Sequence, residues 1–188
     1  ETALNGNTTA SDNTALGYNS QFANTTGAAN TSVGSNSLDA NTTGYYNNAF
    51  GYGALGANTT GVQHVGIGYN ALTSNTTGNY NVAVGNYSLQ ATTTGSGNTA
   101  VGYSCVDANT EGDYNTGVGY GALGALTHAD YNTAVGMNSL NDATTGGYNT
   151  AIGSFSAQTL TTGALNTALG YAALNLNTTG EHNVAVGN

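Results

Sequence analysis

The chain has 188 residues, nine of them acidic and none of them lysine or arginine, so its formal net charge is −9. Without a cationic side chain to neutralise phosphate, a nucleic-acid partner is excluded, and an anionic membrane surface is an unfavourable one. No apolar run approaches the roughly 20 residues of a transmembrane helix, so we expect no membrane span.

In chain order, the sequence is one 17-residue pattern repeated without insertion or deletion. Residues 1–12 form a partial coil, residues 13–182 form ten full coils, and residues 183–188 begin another, all within a single predicted domain. The consensus is N-T-A-V-G-Y-N-A-L-x-x-N-T-T-G-x-Y, and we number its positions as phases 0 to 16. Phase 0 is asparagine in ten of the eleven coils and His64 in the other.

Phases 1 to 3 predict a short β-strand. Phase 3 is apolar in every coil, and side chains alternate along a strand, so phases 1 and 3 share a face. Phase 2 then points to the opposite side, where only Ala, Ser or Gly occurs. We predict that the small residues at phases 2 and 7 permit close contact with neighbouring chains. Structural roles are expected for the phase 3 valines Val33, Val84, Val101, Val118 and Val135.

Phase 4 is glycine in all eleven coils. A glycine directly after a strand indicates either a positive φ or a backbone packed too closely for a Cβ atom. These predicted structural glycines are Gly17, Gly34, Gly51, Gly68, Gly85, Gly102, Gly119, Gly136, Gly153, Gly170 and Gly187.

Phases 6 to 9 predict a second short strand that carries the phase 8 leucine inward, as at Leu38, Leu72 and Leu89. Asn-Thr-Thr-Gly at phases 11 to 14 supplies a turn, and 17 residues are too few for a strand plus a crossover helix. The sequence therefore predicts an all-β parallel solenoid (a β-roll) of eleven coils with two strands per coil. Stacking should place asparagines at phase 0 in an amide ladder and tyrosines in columns at phases 5 and 16.

Both ends of the chain fall at the same phase, and neither carries a polar capping coil. Because uncapped strand edges invite further pairing, we expect a segment of a longer fibre or a subunit that stacks end to end.

The stretches at residues 81–85 and 183–187, both Asn-Val-Ala-Val-Gly, resemble the head repeat of trimeric autotransporter adhesins and related phage or cell-surface fibre proteins. The resemblance implies a left-handed β-roll, often a homotrimer, displayed outside the cell or on a virion and used for reach and adhesion. The family coil is shorter, and the chain shows no neck, coiled-coil stalk or membrane anchor.

Few residues suggest a catalytic or metal-binding role. His64, His128 and His182 share no column, and variation at exposed turn positions explains them most simply. Cys105 stands at phase 7 among Ser and Ala, which predicts a buried thiol rather than a nucleophile. We expect no enzyme, no catalytic residue and no cofactor-binding residue.

Asp113 and Asp130 share phase 15 in adjacent coils and are a candidate calcium-binding pair. The Asn-Thr-Thr turns raise two alternatives, an ice-binding threonine array and N-glycosylation. Eight asparagines satisfy the acceptor pattern, namely Asn7, Asn24, Asn30, Asn41, Asn58, Asn75, Asn86 and Asn177.

The sequence thus favours an extracellular or cell-surface fibre or adhesin shaft, which acts as a rigid rod without catalysis. Self-association as a homotrimer or an end-to-end filament is expected, with a host surface or carbohydrate as a further partner. The alternative is an ice- or carbohydrate-binding solenoid that uses regular Thr/Asn or Tyr columns.

Overall fold

A computed structural model describes residues 2–188, and Glu1, the first residue of the predicted partial coil, lies outside the described residues. Each coil contributes one three-residue strand at phases 1 to 3. The strands are β1 Thr14–Leu16, β2 Thr31–Val33, β3 Asn48–Phe50, β4 Val65–Ile67, β5 Val82–Val84, β6 Thr99–Val101, β7 Thr116–Val118, β8 Thr133–Val135, β9 Thr150–Ile152, β10 Thr167–Leu169 and β11 Val184–Val186.

The eleven strands form one parallel sheet in chain order, in which each strand residue pairs with the residue 17 positions further along the chain. Thr99 pairs with Thr116, for example, and Val101 with Val118. The predicted all-β parallel solenoid and its unbroken register are therefore confirmed. Among residues 2–188, no helix is long and apolar enough to span a bilayer.

The prediction of a second strand at phases 6 to 9 is wrong, because this stretch is a turn in the described coils. The backbone has a positive φ at phase 6 and again at phase 8, with values of 55° at Asn36 and 51° at Leu38. A β-strand requires negative φ at each residue, so these two left-handed residues bend the chain instead. The inward position of the leucine is nevertheless confirmed, since Leu38 is fully buried.

The hydrophobic core is a narrow column between the sheet and the phase 8 leucines. Ala100 at phase 2 and Leu89 at phase 8 are both 0% exposed. A Cβ added at Gly66, another phase 2 residue, would lie 3.3 Å from Cγ of Leu55. The small residues at phases 2 and 7 thus face the coil interior, and the prediction that they contact neighbouring chains is wrong. They are small because the leucine column leaves room for little more than a methyl group.

Because phase 2 points inward, phases 1 and 3 point outward. Of the phase 3 valines expected to have structural roles, Val33, Val84 and Val135 are partly buried, whereas Val101 and Val118 are exposed. These valines pair in the sheet but lie outside the core. The larger apolar side chains of each strand therefore form an outer surface.

Ten of the phase 4 glycines meet both conditions that the sequence indicated, a positive φ and a closely packed backbone, whereas Gly187 meets only the first. All eleven have φ between 125° and 143°. A Cβ added at Gly119, for instance, would lie 2.6 Å from the carbonyl oxygen of Gly136 in the next coil. Glycine is required here because the backbones of consecutive coils approach too closely for any side chain.

Candidate functional site

The phase 0 asparagines form a ladder inside the coils. Nδ2 of Asn98 donates a hydrogen bond to the carbonyl oxygen of Gly112, across the same coil, at 2.8 Å. Its Oδ1 accepts the backbone N–H of Asn115, in the next coil, at 2.9 Å. Both asparagines are fully buried. Each amide therefore forms one hydrogen bond within its own coil and one to the next coil, which confirms the predicted amide ladder.

His64 takes the place of asparagine in one coil and makes the equivalent hydrogen bonds. Its Nε2 lies 2.8 Å from the carbonyl oxygen of Gly78, and its Nδ1 accepts the backbone N–H of Asn81 at 3.1 Å. Because Nδ1 accepts, the proton of the neutral ring is on Nε2, which donates to Gly78. Burial lowers the pKa of His64 to about 4. Explaining His64 as variation at an exposed turn position is wrong, since the side chain is fully buried.

A second ladder, which the turn motif did not predict, runs along phase 12. The hydroxyl of Thr25 donates to the carbonyl oxygen of Thr42 at 2.9 Å, and Thr42 donates to Thr59 in the same way at 3.0 Å. Phase 12 is threonine in all eleven repeats, whereas phase 13 also holds Glu111 and His128. That difference is the sequence signal for the ladder. The phase 13 side chains are exposed.

The thiol of Cys105 is fully buried. Burial raises its pKa to about 12, so the sulfur is a neutral thiol at physiological pH. A Cβ added at Gly117 would lie 2.6 Å from this sulfur. The prediction of a buried thiol is confirmed, and its environment opposes formation of the thiolate that nucleophilic chemistry requires.

Asp113 and Asp130 lie in adjacent coils, and each carboxylate accepts a backbone N–H of the preceding coil. Oδ1 of Asp113 accepts from Ser96, and Oδ1 of Asp130 accepts from Asp113, both at 2.7 Å. Within residues 2–188, no group of three or more His, Cys, Asp or Glu side chains could hold a metal ion. A calcium ion at this pair of carboxylates stays a prediction.

Most of the potential glycosylation asparagines lie inside the solenoid. Asn41, for example, is fully buried, and its Nδ2 donates to Oδ1 of Asn24 at 2.8 Å. A glycan attached to such a nitrogen would require the coil to open. The acceptor asparagines that are exposed or partly exposed are Asn7, Asn86 and Asn177.

The tyrosines stack along the rod in columns. Tyr114, Tyr131 and Tyr148 at phase 16 have successive ring centroids 5.2 Å and 5.0 Å apart, with planes inclined by 15° and 17°. Each ring is about half exposed. Within this run, the ring of Tyr131 packs between the faces of its two neighbours and presents its edges to solvent.

The strongest candidate for a small-ligand site is a groove of about 480 Å³ beside the stacked pair Tyr103 and Tyr120. Its other lining residues include Asp107, Gly121, Gly124, Asn138 and Asn141. The two glycines stand at phases 6 and 9 of one coil and leave space that side chains fill in most other coils, although Gly53 and Gly56 form the same pair in an earlier coil. Burial raises the pKa of Asp107, and Nδ2 of Asn141 donates to the carbonyl oxygen of Gly121 at 2.7 Å. The groove thus combines a carboxylate, amides and phenols.

Comparison with known proteins adds no relative. The chain matches no family model, no curated protein and no solved structure. The likeness to autotransporter head repeats therefore depends on the repeat motif alone.

Proposed function

We propose that this chain is the shaft of an extracellular or virion fibre, or of a cell-surface adhesin, and that it provides a rigid rod for display or attachment. The observation that supports this proposal is continuity. The sheet, the asparagine ladder and the phase 12 threonine ladder all run along the stack in one 17-residue register. Eleven strands spaced about 4.8 Å apart make a rod of about 50 Å.

Composition supports the same role. A chain without lysine or arginine offers trypsin no cleavage site, which suits a protein exposed outside the cell. The resemblance to adhesin head repeats points to the same location, with homotrimers or end-to-end filaments as assemblies and a host surface as the target. Catalysis has no part in the proposal, and both His64 and Cys105 are fully buried inside the solenoid, away from any substrate.

Two deletions of equal length test the shaft proposal. Removing residues 98–148 deletes three whole coils, including every residue that lines the groove, and joins phase 16 to phase 0. Removing residues 30–80 also deletes three coils but keeps the groove. Both rods should shorten by about 14 Å in electron micrographs, and both should still attach the particle or cell that carries them.

Loss of attachment in the 98–148 deletion alone, with a folded rod still visible, would assign binding to those coils and contradict a purely structural role. A shaft requires length and stiffness, so the two deletions should behave alike.

The groove favours a second candidate function, the binding of carbohydrate. Asp107, Asn138 and the phenols of Tyr103 and Tyr120 are groups that hydrogen-bond to sugar hydroxyls. Gly121→Asn fills the groove with the residue that several other coils carry at phase 6. A glycan array probed with the unmodified chain and with this variant tests the candidate. Binding that the substitution removes supports it, and an array without signal contradicts it.

A further inference from the structure

We propose that the chain binds a calcium ion beside Gly56, at a point where oxygen atoms from two consecutive coils converge. The oxygens are Oδ1 of Asp39 and the backbone carbonyl oxygens of Asn36 and Gly53. We name this position the Gly56 site. The proposal adds a metal site to the rod, and it rests neither on the shaft function nor on the carbohydrate candidate.

The position that a Cβ atom of residue 56 would take marks the centre of the site. This point lies 3.2 Å from the carbonyl oxygen of Gly53, 3.4 Å from that of Asn36 and 3.4 Å from Oδ1 of Asp39. Oδ1 of Asn70, in the following coil, lies 2.4 Å from the Cβ position of Gly53 and adds an amide oxygen beside the site. Glycine at phase 9 therefore leaves main-chain oxygens accessible that a Cβ atom would cover.

The donor atoms are those that calcium prefers. Carboxylate, carbonyl and amide oxygens are hard ligands, and calcium takes about six to eight of them at about 2.3–2.6 Å in flexible geometry. The oxygens around the Gly56 site need to move inward by only about 1 Å, and water completes the shell. A carbonyl oxygen has two lone pairs, so that of Gly53 can ligate an ion while it accepts the backbone N–H of Gly56 at 3.1 Å.

The carboxylate of Asp39 favours a cation. Burial raises the pKa of Asp39, against the opposing effect of hydrogen bonds from its own backbone N–H and that of Ala40. Burying a carboxylate costs free energy unless an opposite charge or hydrogen bonds compensate. The chain contains no lysine or arginine that could supply this charge, and its net charge of −9 attracts cations from solution. A bound calcium ion would offset the cost.

The turn that forms the site recurs 68 residues, or four coils, further along the chain. Residues 50–57 and 118–125 differ only at their first position, and the Asp-Ala-Asn-Thr of residues 39–42 returns at 107–110. Aspartate occurs at phase 9 only in these two places, each time in the coil before a pair of glycines at phases 6 and 9. The carboxylate and the glycine pair therefore form one unit, which the chain contains twice.

The second copy of the turn holds an amide nitrogen where we place the ion in the first. Nδ2 of Asn141 lies 2.7 Å from the Cβ position of Gly124 and donates to the carbonyl oxygen of Gly121 at 2.7 Å. The residue equivalent to Asn141 in the first turn is Thr73, which has no side-chain nitrogen. A hydrogen-bond donor thus meets these oxygens in one copy, and we infer that a cation meets them in the other.

Terbium luminescence tests the Gly56 site. Tb³⁺ takes the oxygen ligands of calcium and emits light when a nearby tyrosine transfers excitation energy to it. Tyr52 precedes Gly53 in the chain and stacks on Tyr69, with ring centroids 5.4 Å apart. We expect tyrosine-sensitised emission that CaCl2 displaces with a Kd of about 1 mM. MgCl2 should compete at least about 10-fold less well, because magnesium demands octahedral geometry and keeps its waters.

Substitutions locate the bound ion. Asp39→Asn removes the carboxylate, and Thr73→Asn supplies the amide of the second turn, so each should weaken calcium binding by at least about 10-fold. The matched control, Asp142→Asn, removes the same charge at a neighbouring phase and should leave binding unchanged. Asn141→Thr removes the amide from the second turn and should create a second calcium site. Circular dichroism confirms that each variant is folded.

Emission that calcium does not displace from the unmodified chain would overturn the proposal. Equal calcium affinity in the unmodified chain and in Thr73→Asn would overturn it too, and this variant decides the matter if Asp39→Asn does not fold. Displaceable emission that only Asp113→Asn removes would assign calcium to the Asp113 and Asp130 pair instead. The shaft and the carbohydrate groove are tested separately, by the coil deletions and the glycan array.

Discussion

Nδ1 of His64 accepts the backbone N–H of Asn81 at 3.1 Å, where the other coils use the Oδ1 of an asparagine. Protonation of Nδ1 would remove this acceptor from a buried site. The pKa of His64 is lowered from 6.5 to about 4, so between these pH values the unfolded chain binds more protons than the folded chain. The contribution of His64 to folding stability is therefore complete above pH 6.5 and is lost as pH falls towards 4.

Across that window we expect His64 to reduce the free energy of unfolding by about 3 kcal/mol. Urea unfolding at pH 7 and at pH 4.5 measures this loss. His64→Asn restores the residue of the other coils and serves as the control, because the carboxyl groups titrate in both proteins. Equal pH dependence in the two proteins would show that the imidazole does not carry the effect.

Replacing Asn98 by alanine should destabilise the solenoid by about 3 kcal/mol, because it leaves the N–H of Asn115 and the carbonyl of Gly112 buried without these partners. Asn98→His should cost clearly less at pH 7, since an imidazole makes the equivalent bonds at His64. Chemical denaturation of both variants measures their losses in unfolding free energy. If histidine is as damaging as alanine, the ladder depends on the amide itself.

Gly119→Ala should cost about 4 kcal/mol, because the new Cβ combines a φ of 136° with a 2.6 Å approach to the backbone of the next coil. Gly187→Ala separates these two causes. Gly187 has a φ of 131°, but nothing lies within 4 Å of its Cβ position. The Gly187→Ala variant should lose only about 1 to 2 kcal/mol of unfolding free energy, through backbone strain alone. If thermal unfolding shows equal losses of stability for the two variants, the close contact between coils does not contribute to the cost.

Gly117 is expected to be coupled to Cys105 and Val106, because an added Cβ would lie 2.6 Å from Sγ and 2.7 Å from Cγ2. Gly117→Ala alone should cost about 2 kcal/mol through overpacking. In a background with Cys105→Ala and Val106→Leu, the residue types found in neighbouring coils, the cost should fall by at least about 1 kcal/mol. A thermodynamic cycle measured by denaturation reports this coupling, and additive effects would contradict it.

The period of the sequence determined the register, because a stack of equal coils gives each phase one environment. The orientation of the strand was harder to predict. The alternation of side chains along a strand implies that Thr99 and Val101 share a face, but it does not indicate whether that face points into the coil. The larger apolar residue usually marks the core, yet here the narrow interior admits Ala100 and excludes Val101.

The turn at phases 6 to 9 departs from residue preferences, since a branched side chain such as Leu38 rarely adopts a positive φ. His64 was misread for another reason. A single substitution says little about burial until it is read as a member of its column, where every other residue is a buried or partly buried asparagine. The groove near Asp107 depends on two glycines of the next coil, Gly121 and Gly124, and because the same pair recurs at Gly53 and Gly56, the glycines alone do not single out a site.

Each strand pairs only with the strands of the coils before and after it. A mechanical load applied between the two ends of the chain would therefore detach terminal coils one at a time and leave the remaining stack intact. Every detached coil of 17 residues releases about 55 Å of extended chain. Under tension the rod would lengthen in equal steps and dissipate energy at each step before the whole stack fails.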